Sequence, residues 1–216
     1  HLVPKFTTFK YRFDDGLPDL RLAPIHVLAR QYKSVLSSKF ATKKLNYSHE
    51  LKGNVQLRKE LVKYLSETRS INVSIENIMI VRGSIMGFYL LFQIILEKGS
   101  KVIVGETSYQ AANEIIKNAD GNIITVPVDA EGIDVDAVAE ICKKKKIRAI
   151  YIVPHHHHPT TVSLSAERRM KLLQLAEKYK FAIIEDDYDY DFHYESSPIL
   201  PLASSDRVGV VSYVGS

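Results

Sequence analysis

An acidic segment that directly follows an apolar run is the part of this sequence best suited to chemistry. Four apolar residues at 181–184 lead into Glu185, Asp186 and Asp187, and alternating tyrosine and aspartate residues follow. A continuous apolar run of this length is typical of a buried parallel strand. Because open α/β sheets bind ligands at the carboxyl ends of their strands, we expect these acids at such an edge. A buried carboxylate is costly without a cation, so we also expect a positively charged partner.

Two other interpretations of the acidic segment remain open. Asp186 and Asp187 could bind Mg²⁺, as paired acids do in phosphoryl-transfer sites. They could also cap the next helix. Neither alternative accounts for the tyrosines that stand beside the acids.

A glycine-containing turn earlier in the chain has the residue types of a phosphate site. The segment Arg82-Gly-Ser-Ile-Met-Gly87 follows an apolar stretch at 78–81, which we predict to be a short strand, and opens an apolar helix. Gly83 permits a close backbone approach, Ser84 can cap or donate its hydroxyl, and the free N–H groups of a first helical turn bind anions. Since many turns between a strand and a helix carry Gly-Ser, an ordinary turn is the alternative.

Tyr109 comes just after a predicted strand at 101–104. An aromatic ring at the carboxyl end of a strand can lie flat on a planar ligand. A capping or packing role explains a single tyrosine equally well.

Four consecutive histidines, at 155–158, follow another predicted strand. Neighbouring residues of an extended segment point to opposite sides, so at most two imidazoles could converge on one ion. The helical spacing of a zinc site, His-x-x-x-His, is not available in this run. We therefore predict no metal site, but a loop in which one or two imidazoles contact a ligand.

The elements that position these residues alternate between strand and helix from residue 78 onward. Apolar periodicity predicts helices at 24–37, 57–65, 83–96, 108–118, 135–144 and 165–178, and strands at 78–81, 101–104, 122–126, 148–153, 181–184 and 209–214. This order predicts an α/β fold, a three-layer α/β/α arrangement with a mainly parallel sheet and right-handed crossovers. A turn is expected at 129–132.

The composition of the 216 residues, 45% hydrophobic and 25% charged, is that of an ordinary globular protein. The net charge of +4 is mild, and the lysines at 143–146 are best explained as a solvated helix end rather than a nucleic-acid surface. A single cysteine, Cys142, and the absence of a signal-peptide pattern predict a cytoplasmic location without membrane contact. We expect both ends to be cuts within a longer polypeptide.

The order of these segments resembles the large domain of fold-type I pyridoxal-phosphate enzymes, the aspartate aminotransferase superfamily. Three motifs look more specifically like the aminotransferase-like domain of MocR-type GntR-family transcriptional regulators. They are Gly16-Leu-Pro-Asp-Leu-Arg-Leu-Ala-Pro24, Pro154-His-His-x-x-Pro-Thr-Thr161 and Glu185-Asp-Asp-Tyr-Asp-Tyr-Asp-Phe-His-Tyr194. The resemblance covers essentially the whole chain.

The resemblance implies pyridoxal 5′-phosphate as the cofactor. Asp186 would pair with the pyridinium N–H, and Tyr188 and His158 would lie near the phenolic oxygen of the ring. His158 stands where aminotransferases usually carry an asparagine. Tyr109 would stack on the face of the ring, and Gly83, Ser84 and Ile85 would bind the phosphate. Ser216 would also contact the cofactor, and Tyr47 is a possible contact from the neighbouring subunit.

The same resemblance implies how the chain is organised and what it does. Residues 1–50 would form an N-terminal arm and first helix packed on a partial cofactor domain, residues 51–216. The Schiff-base lysine would lie beyond Ser216, so no catalytic residue is assigned. A winged-helix DNA-binding domain would precede the chain and a small domain would follow it.

Three functions are consistent with these expectations. The first is the effector domain of a transcription regulator, which binds the cofactor and a small amino compound, contacts DNA only through the upstream domain, and forms a homodimer. The second is a free-standing class I/II aminotransferase that transfers an amino group between an amino acid and a 2-oxo acid. The third is a scaffold that has lost the cofactor, against which Asp186, Tyr109 and the Gly83-Ser84 turn argue.

Overall fold

A computed structural model describes residues 20–39, 41, 49–192 and 199–216, and the chain divides into two compact units, 1–49 and 50–216. The first unit contains a 3-10 turn, Leu20–Leu22, and helix α1, Ile25–Leu36. This helix confirms the one predicted at 24–37, and Pro24 immediately precedes it. The packing of the first unit on the second stays a prediction.

The second unit alternates helices and strands, as its apolar periodicity predicts. Its helices are α2 (Val55–Arg69), α3 (Gly83–Ile95), α4 (Gln110–Asn118), α5 (Val135–Lys144), α6 (Ala166–Tyr179) and α7 (Leu202–Ser205), with a 3-10 turn at Ile75–Asn77. Its strands are β1 (Lys101–Gly105), β2 (Asn122–Val126), β3 (Val128–Asp129), β4 (Gly132–Ile133), β5 (Ala149–Ile152), β6 (Ala182–Asp187) and β7 (Val211–Gly215). In the described part of the chain, every helix is too short or too polar to cross a membrane.

Five strands form one parallel sheet in the order β2-β1-β5-β6-β7. The chain places β2 on one side of β1 and then β5 on the other, so its direction of travel across the sheet reverses between β1 and β5. The remaining pair, β3 and β4, forms a small antiparallel hairpin around the turn predicted at 129–132. In that turn the N–H of Glu131 donates to Oδ1 of Asp129, at 2.8 Å.

Two apolar layers cover the two faces of the sheet, because successive residues of a strand point to opposite sides. One layer joins sheet residues such as Ile103, Ile150 and Ile183 to α5, α6 and α7. The other joins Val104, Tyr151 and their neighbours to α3 and α4. The predicted three-layer α/β/α arrangement with a mainly parallel sheet is confirmed.

The structure corrects the predicted elements in three places. The prediction of a strand at 78–81 is wrong: this stretch forms no ladder within the described residues, and the Ile80 N–H donates to the Lys52 carbonyl at 2.9 Å. Strand β6 continues through the acids to Asp187 instead of ending before them. The short helix α7 and the β3–β4 hairpin are too brief to produce a period that sequence reasoning detects.

Candidate functional site

A crevice is expected where the loops after β1 and β5 separate at the carboxyl edge of the sheet. The loop after β1 leads to α4, which packs on one face of the sheet, and the loop after β5 leads to α6, which packs on the other. Neighbouring strands whose connections leave in opposite directions open a binding crevice at the reversal point. The predicted Tyr109 and the histidine loop at 155–158 both lie here.

Asp186 is separated from the other two acids by the alternation of β6. Its carboxylate accepts a hydrogen bond from Tyr151 on the face of the sheet covered by α3 and α4. The Glu185 carboxylate accepts hydrogen bonds from the backbone N–H groups of Leu202 and Ala203 in α7, on the opposite face. Strand geometry places Asp187 on the same side as Glu185. We expected from the sequence that the three acids would lie together at the edge of the sheet. The structure instead divides them between its two faces.

Glu185 and Asp187 each have their own compensating partners. The two N–H groups of α7 bind Glu185 at 2.8 and 2.9 Å, which is the capping role considered for the acidic segment, although it belongs to a different acid. Asp187 accepts from the Tyr213 hydroxyl, and the Arg69 guanidinium lies 3.9 Å from its carboxylate and donates to Tyr213 at 2.9 Å. Arg69 thus compensates a buried charge.

Asp186 has no cation within salt-bridge distance among the described residues. Its side chain is buried, and its hydrogen bond is the one from the Tyr151 hydroxyl to Oδ2, 2.6 Å long. Burial, with smaller contributions from the nearby Asp187 and Asp189, raises the pKa of the Asp186 carboxyl to about 6, against the lowering effect of that hydrogen bond. At pH 7 the group is still mainly ionised, so it is a buried anion that lacks a counter-charge.

The turn that opens α3 has room beside it for a ligand. Gly83 has a φ of +78°, a conformation that glycine adopts without strain, and a Cβ built there would meet nothing within 4 Å. The residue at the N-cap, Arg82, provides no capping side-chain hydrogen bond to the first turn. One turn later, a Cβ on Gly87 would lie 3.3 Å from Val214, the residue paired with Asp186 in the sheet. The first turns of α3 therefore lie against β7, the strand that pairs with the one carrying Asp186.

Three of the predicted aromatic and imidazole residues, Tyr109, His158 and Tyr188, lie on the loops that follow β1, β5 and β6. The rings of Tyr109 and His158 lie edge to face, 5.6 Å apart, and the Tyr188 hydroxyl donates to the His156 carbonyl at 3.1 Å. Burial raises the pKa of Tyr151 most strongly, with further increases from Asp186, Tyr109 and Tyr188. The structure thus brings Asp186, Tyr109, Tyr188 and His158 to one edge of the sheet.

The remaining predicted contacts lie in the first turn of α3, at the end of β7 and outside the described residues. Ser84 is half-buried and Ile85 exposed in the first turn of α3. Ser216 is exposed and directly follows Gly215, which pairs with Asp187. Tyr47 lies outside the described residues, so its cross-subunit contact stays a prediction.

Each histidine of the run at 155–158 has a different neighbour. His155 stacks on Tyr190 with 5.0 Å between ring centres, and Nδ1 of His156 lies 2.7 Å from the Asp189 carboxylate. Nδ1 of His157 lies 2.9 Å from the Thr160 hydroxyl, and burial lowers the pKa of His157. In the described ranges, no three His, Cys, Asp or Glu side chains form a group that could hold a metal ion.

Sequence reasoning missed two residues of this site, Tyr151 and Gly105. A tyrosine inside an otherwise apolar buried strand requires a partner for its hydroxyl, and that signal could have identified Tyr151. Gly105 ends β1, where a Cβ would lie 3.0 Å from Nε2 of His157 and 2.9 Å from the Thr107 carbonyl. No sequence pattern marks such a close approach between distant segments.

The residues present fit a flat cationic ring that carries an anionic group. The buried Asp186 carboxylate has no cation beside it in the part of the chain that the structure describes, the open turn at Gly83 offers first-turn N–H groups for an anion, and Tyr109 offers an aromatic face. A planar ligand with a protonated ring nitrogen at one end and a phosphate on a short arm has this distribution of charge.

Comparison with known proteins points the same way. A family described as aminotransferase class I and II matches residues 10–214. An aromatic-amino-acid aminotransferase of Thermococcus litoralis is 30% identical over 93% of this chain and 49% of its own length. The probable rhizopine catabolism regulatory protein MocR of Rhizobium meliloti is 24% identical over 94% of this chain and 40% of its own length.

A solved structure extends the comparison. The crystal structure of a kynurenine aminotransferase from Pyrococcus horikoshii, in complex with PMP, matches with a TM-score of 0.86 and 30% identity, over 93% of this chain and 50% of that one. The chain therefore spans about half the length of the relatives that it matches.

Proposed function

This chain belongs to the aminotransferase class I and II family, and on that premise we propose that it is the effector-sensing domain of a MocR-type, GntR-family transcriptional regulator. Pyridoxal 5′-phosphate is the cofactor that the family implies. When bound, it supplies a protonated ring that accepts electrons from bonds at the carbon bearing the amino group of a substrate or effector.

The observation that carries the cofactor site is the isolation of the Asp186 carboxylate. Of the three acids in β6, Glu185 is bound by backbone N–H groups and Asp187 lies beside Arg69, while the partner of Asp186 among the described residues is the Tyr151 hydroxyl. In this proposal Asp186 holds the proton on the ring nitrogen of the cofactor, and the charge-assisted hydrogen bond anchors the ring. The protonated ring of the cofactor supplies the positive charge beside Asp186.

The other predicted contacts are assigned in the same proposal. The backbone of Gly83, Ser84 and Ile85 binds the phosphate at the start of α3, where the positive end of the helix dipole favours an anion. Tyr109 covers the ring face, while His158 and Tyr188 lie beside the phenolic oxygen. Ser216 and, from the neighbouring subunit, Tyr47 complete the expected set.

Two features support a regulator. Along 94% of the chain it resembles a protein described as a regulatory protein, and it carries the three motifs that resemble MocR-type domains. His158 replaces the asparagine usual in aminotransferases, a change that matters less for a ligand-sensing domain than for turnover. Ligand binding would act on the DNA-binding half by shifting the populations of its conformations.

A free-standing aminotransferase is the second candidate. Its support is the 30% identity to an aromatic-amino-acid aminotransferase and to a kynurenine aminotransferase. In that case the expected lysine beyond Ser216 would move the proton during amino transfer between an amino acid and a 2-oxo acid.

We further propose a homodimer in the cytoplasm, with DNA contacted only through the expected upstream domain. Apolar side chains of α3, including Met86, Tyr89 and Ile94, are exposed, which is typical of a surface that meets another protein. A small amino compound is the proposed effector.

The deciding experiment uses the protein expressed from its complete reading frame and loaded with pyridoxal 5′-phosphate. DNA affinity is measured with and without a panel of amino compounds, and amino transfer to 2-oxo acids is followed in parallel by absorbance. The regulator proposal predicts a change in DNA affinity with little or no turnover. Rapid multiple turnover without sequence-specific DNA binding would establish the aminotransferase instead.

A further inference from the structure

Tyr151 and Asp186 form a buried pair that links β5 to β6. Tyr151 is 1% exposed and Asp186 5% exposed, and the tyrosine hydroxyl donates to Oδ2 of the aspartate at 2.6 Å. Tyr151 belongs to the apolar layer covered by α3 and α4, and the hydrogen bond places Asp186 on the same face of the sheet. No resemblance or expectation from the sequence assigns a role to Tyr151.

Packing against neighbouring side chains fixes the position of the Tyr151 ring. Its ring meets Phe88 of α3 edge to face, with 5.5 Å between ring centres and an angle of 85°. Phe88 follows Gly83 by little more than one helical turn, so one apolar contact connects the hydrogen-bonding tyrosine to the helix that opens at the proposed phosphate turn.

The hydrogen bond acts on the protonation state of the acid. A neutral hydroxyl that donates to a carboxylate stabilises the ionised form and opposes the effect of burial. The bond also uses Oδ2, which leaves Oδ1 as the oxygen that can accept from a ligand. A protonated Asp186 could not form an ion pair with a ring cation.

We propose that Tyr151 is a positioning residue that keeps the Asp186 carboxylate ionised and directs Oδ1 toward the ring nitrogen of the cofactor. The inference rests on the proposed cofactor site, but its first half concerns the free protein and is tested without cofactor. Among the described residues, the hydrogen bond of the Tyr151 hydroxyl is the one that it donates to Asp186.

The first test follows the titration of Asp186 by ¹³C NMR in protein labelled at its aspartate carboxyl carbons, without cofactor, with the resonance assigned by its loss in Asp186→Asn. Tyr151→Phe keeps the ring that meets Phe88 and removes only the donor. We expect the pKa of Asp186 to rise by about one to two units, the range for a hydrogen bond to a charged group.

Tyr213→Phe is the matched control, because it removes the hydroxyl that donates to the neighbouring acid, Asp187, on the other face of β6. It should leave the titration of Asp186 nearly unchanged. The inference is overturned if Tyr151→Phe does not move this titration, or if both variants move it equally. In the unmodified protein the Cζ resonance of Tyr151 should shift at the pH where Asp186 titrates, and an unresponsive resonance overturns the inference without any variant.

The second test measures the dissociation constant of pyridoxal 5′-phosphate by absorbance in the protein from its complete reading frame. For Tyr151→Phe we expect binding about tenfold weaker at pH 7 and largely recovered near pH 9, where Asp186 ionises again. Unaltered affinity at pH 7 would refute the role toward the cofactor. If the unmodified protein does not bind the cofactor while Tyr151→Phe still moves the titration, the proposed function fails and the Tyr151–Asp186 coupling stands.

Discussion

Thr161 closes the histidine loop in a backbone conformation that suits glycine. Its φ is +61°, in the left-handed region, and a β-branched side chain is strained there. The N–H of Thr161 donates to the His157 carbonyl at 2.6 Å, so the strained residue completes the turn that carries His157 and His158. The side chain is exposed and makes none of the hydrogen bonds that define the loop.

We predict that Thr161→Gly stabilises the protein. A non-glycine residue in the left-handed region costs about 1–2 kcal/mol, which the glycine recovers. The greater conformational freedom of glycine in the unfolded chain offsets about 0.5–1 kcal/mol of this gain. Because an exposed side chain contributes little packing, the net gain in the free energy of unfolding is about 0.5–1 kcal/mol.

The same substitution one residue earlier should have the opposite sign. Thr160→Gly removes the hydroxyl that lies 2.9 Å from Nδ1 of His157, worth about 1 kcal/mol, and adds the entropy cost of glycine, for a loss of about 1.5–2 kcal/mol. Urea unfolding of both variants at pH 7, followed by far-ultraviolet circular dichroism, measures the difference. If Thr161→Gly is as destabilising as Thr160→Gly, the strain argument is wrong.

Two further predictions use matched variants or pH. Burial raises the pKa of Glu185 to about 7 from an unperturbed 4.5, so the folded state binds an extra proton between these values and stability falls as the pH rises through that window. Glu185→Gln cannot titrate, and the stability of the unmodified protein relative to this variant should fall by up to about 3 kcal/mol between pH 5 and 8. Parallel stability curves over that range would contradict this account. Gly83→Ala and Gly209→Ala both place a methyl group in open space at a φ near +78°, so each should cost a net of about 0.5–1 kcal/mol of stability, which is the left-handed strain less the unfolded-state entropy that alanine removes. Only Gly83→Ala should also weaken binding of pyridoxal 5′-phosphate, by about tenfold. Equal affinities of the two variants for the cofactor would show that its phosphate does not bind at this turn.

Most of the fold could be predicted because each long element has its own period. The helix at 135–144 and the strand at 122–126 were predicted with the bounds that the structure shows, since the apolar spacing and the N-capping Asp134 leave little freedom. The segment 78–81 was predicted wrongly because a short apolar run is strand-like whether or not another strand lies beside it. Pairing is a property of the whole chain, which a local pattern does not contain.

The site could be predicted in part. The residue types at strand ends, together with a family resemblance, pointed to Asp186, Tyr109, Tyr188 and the turn at Gly83. Only the family resemblance distinguished Asp186 from Asp187; the residue types alone could not, because the physical separation depends on how far β6 continues and which side chain each face offers. The partner of Asp187, Arg69, is 118 positions away in the chain, and no local signal connects the two.

The most direct test of the central claim compares Asp186→Asn with Asp187→Asn in the protein from its complete reading frame. The two substitutions are chemically identical, and they affect neighbouring residues of one buried strand whose side chains point to opposite faces of the sheet. The dissociation constant of pyridoxal 5′-phosphate is measured at pH 7 by absorbance, with circular dichroism to verify folding. We predict binding about 10- to 100-fold weaker for Asp186→Asn, the value of a hydrogen bond between charged groups, and nearly unchanged binding for Asp187→Asn. Undiminished binding by folded Asp186→Asn, or an equal loss in folded Asp187→Asn, would contradict the assignment of Asp186 as the acid that holds the cofactor.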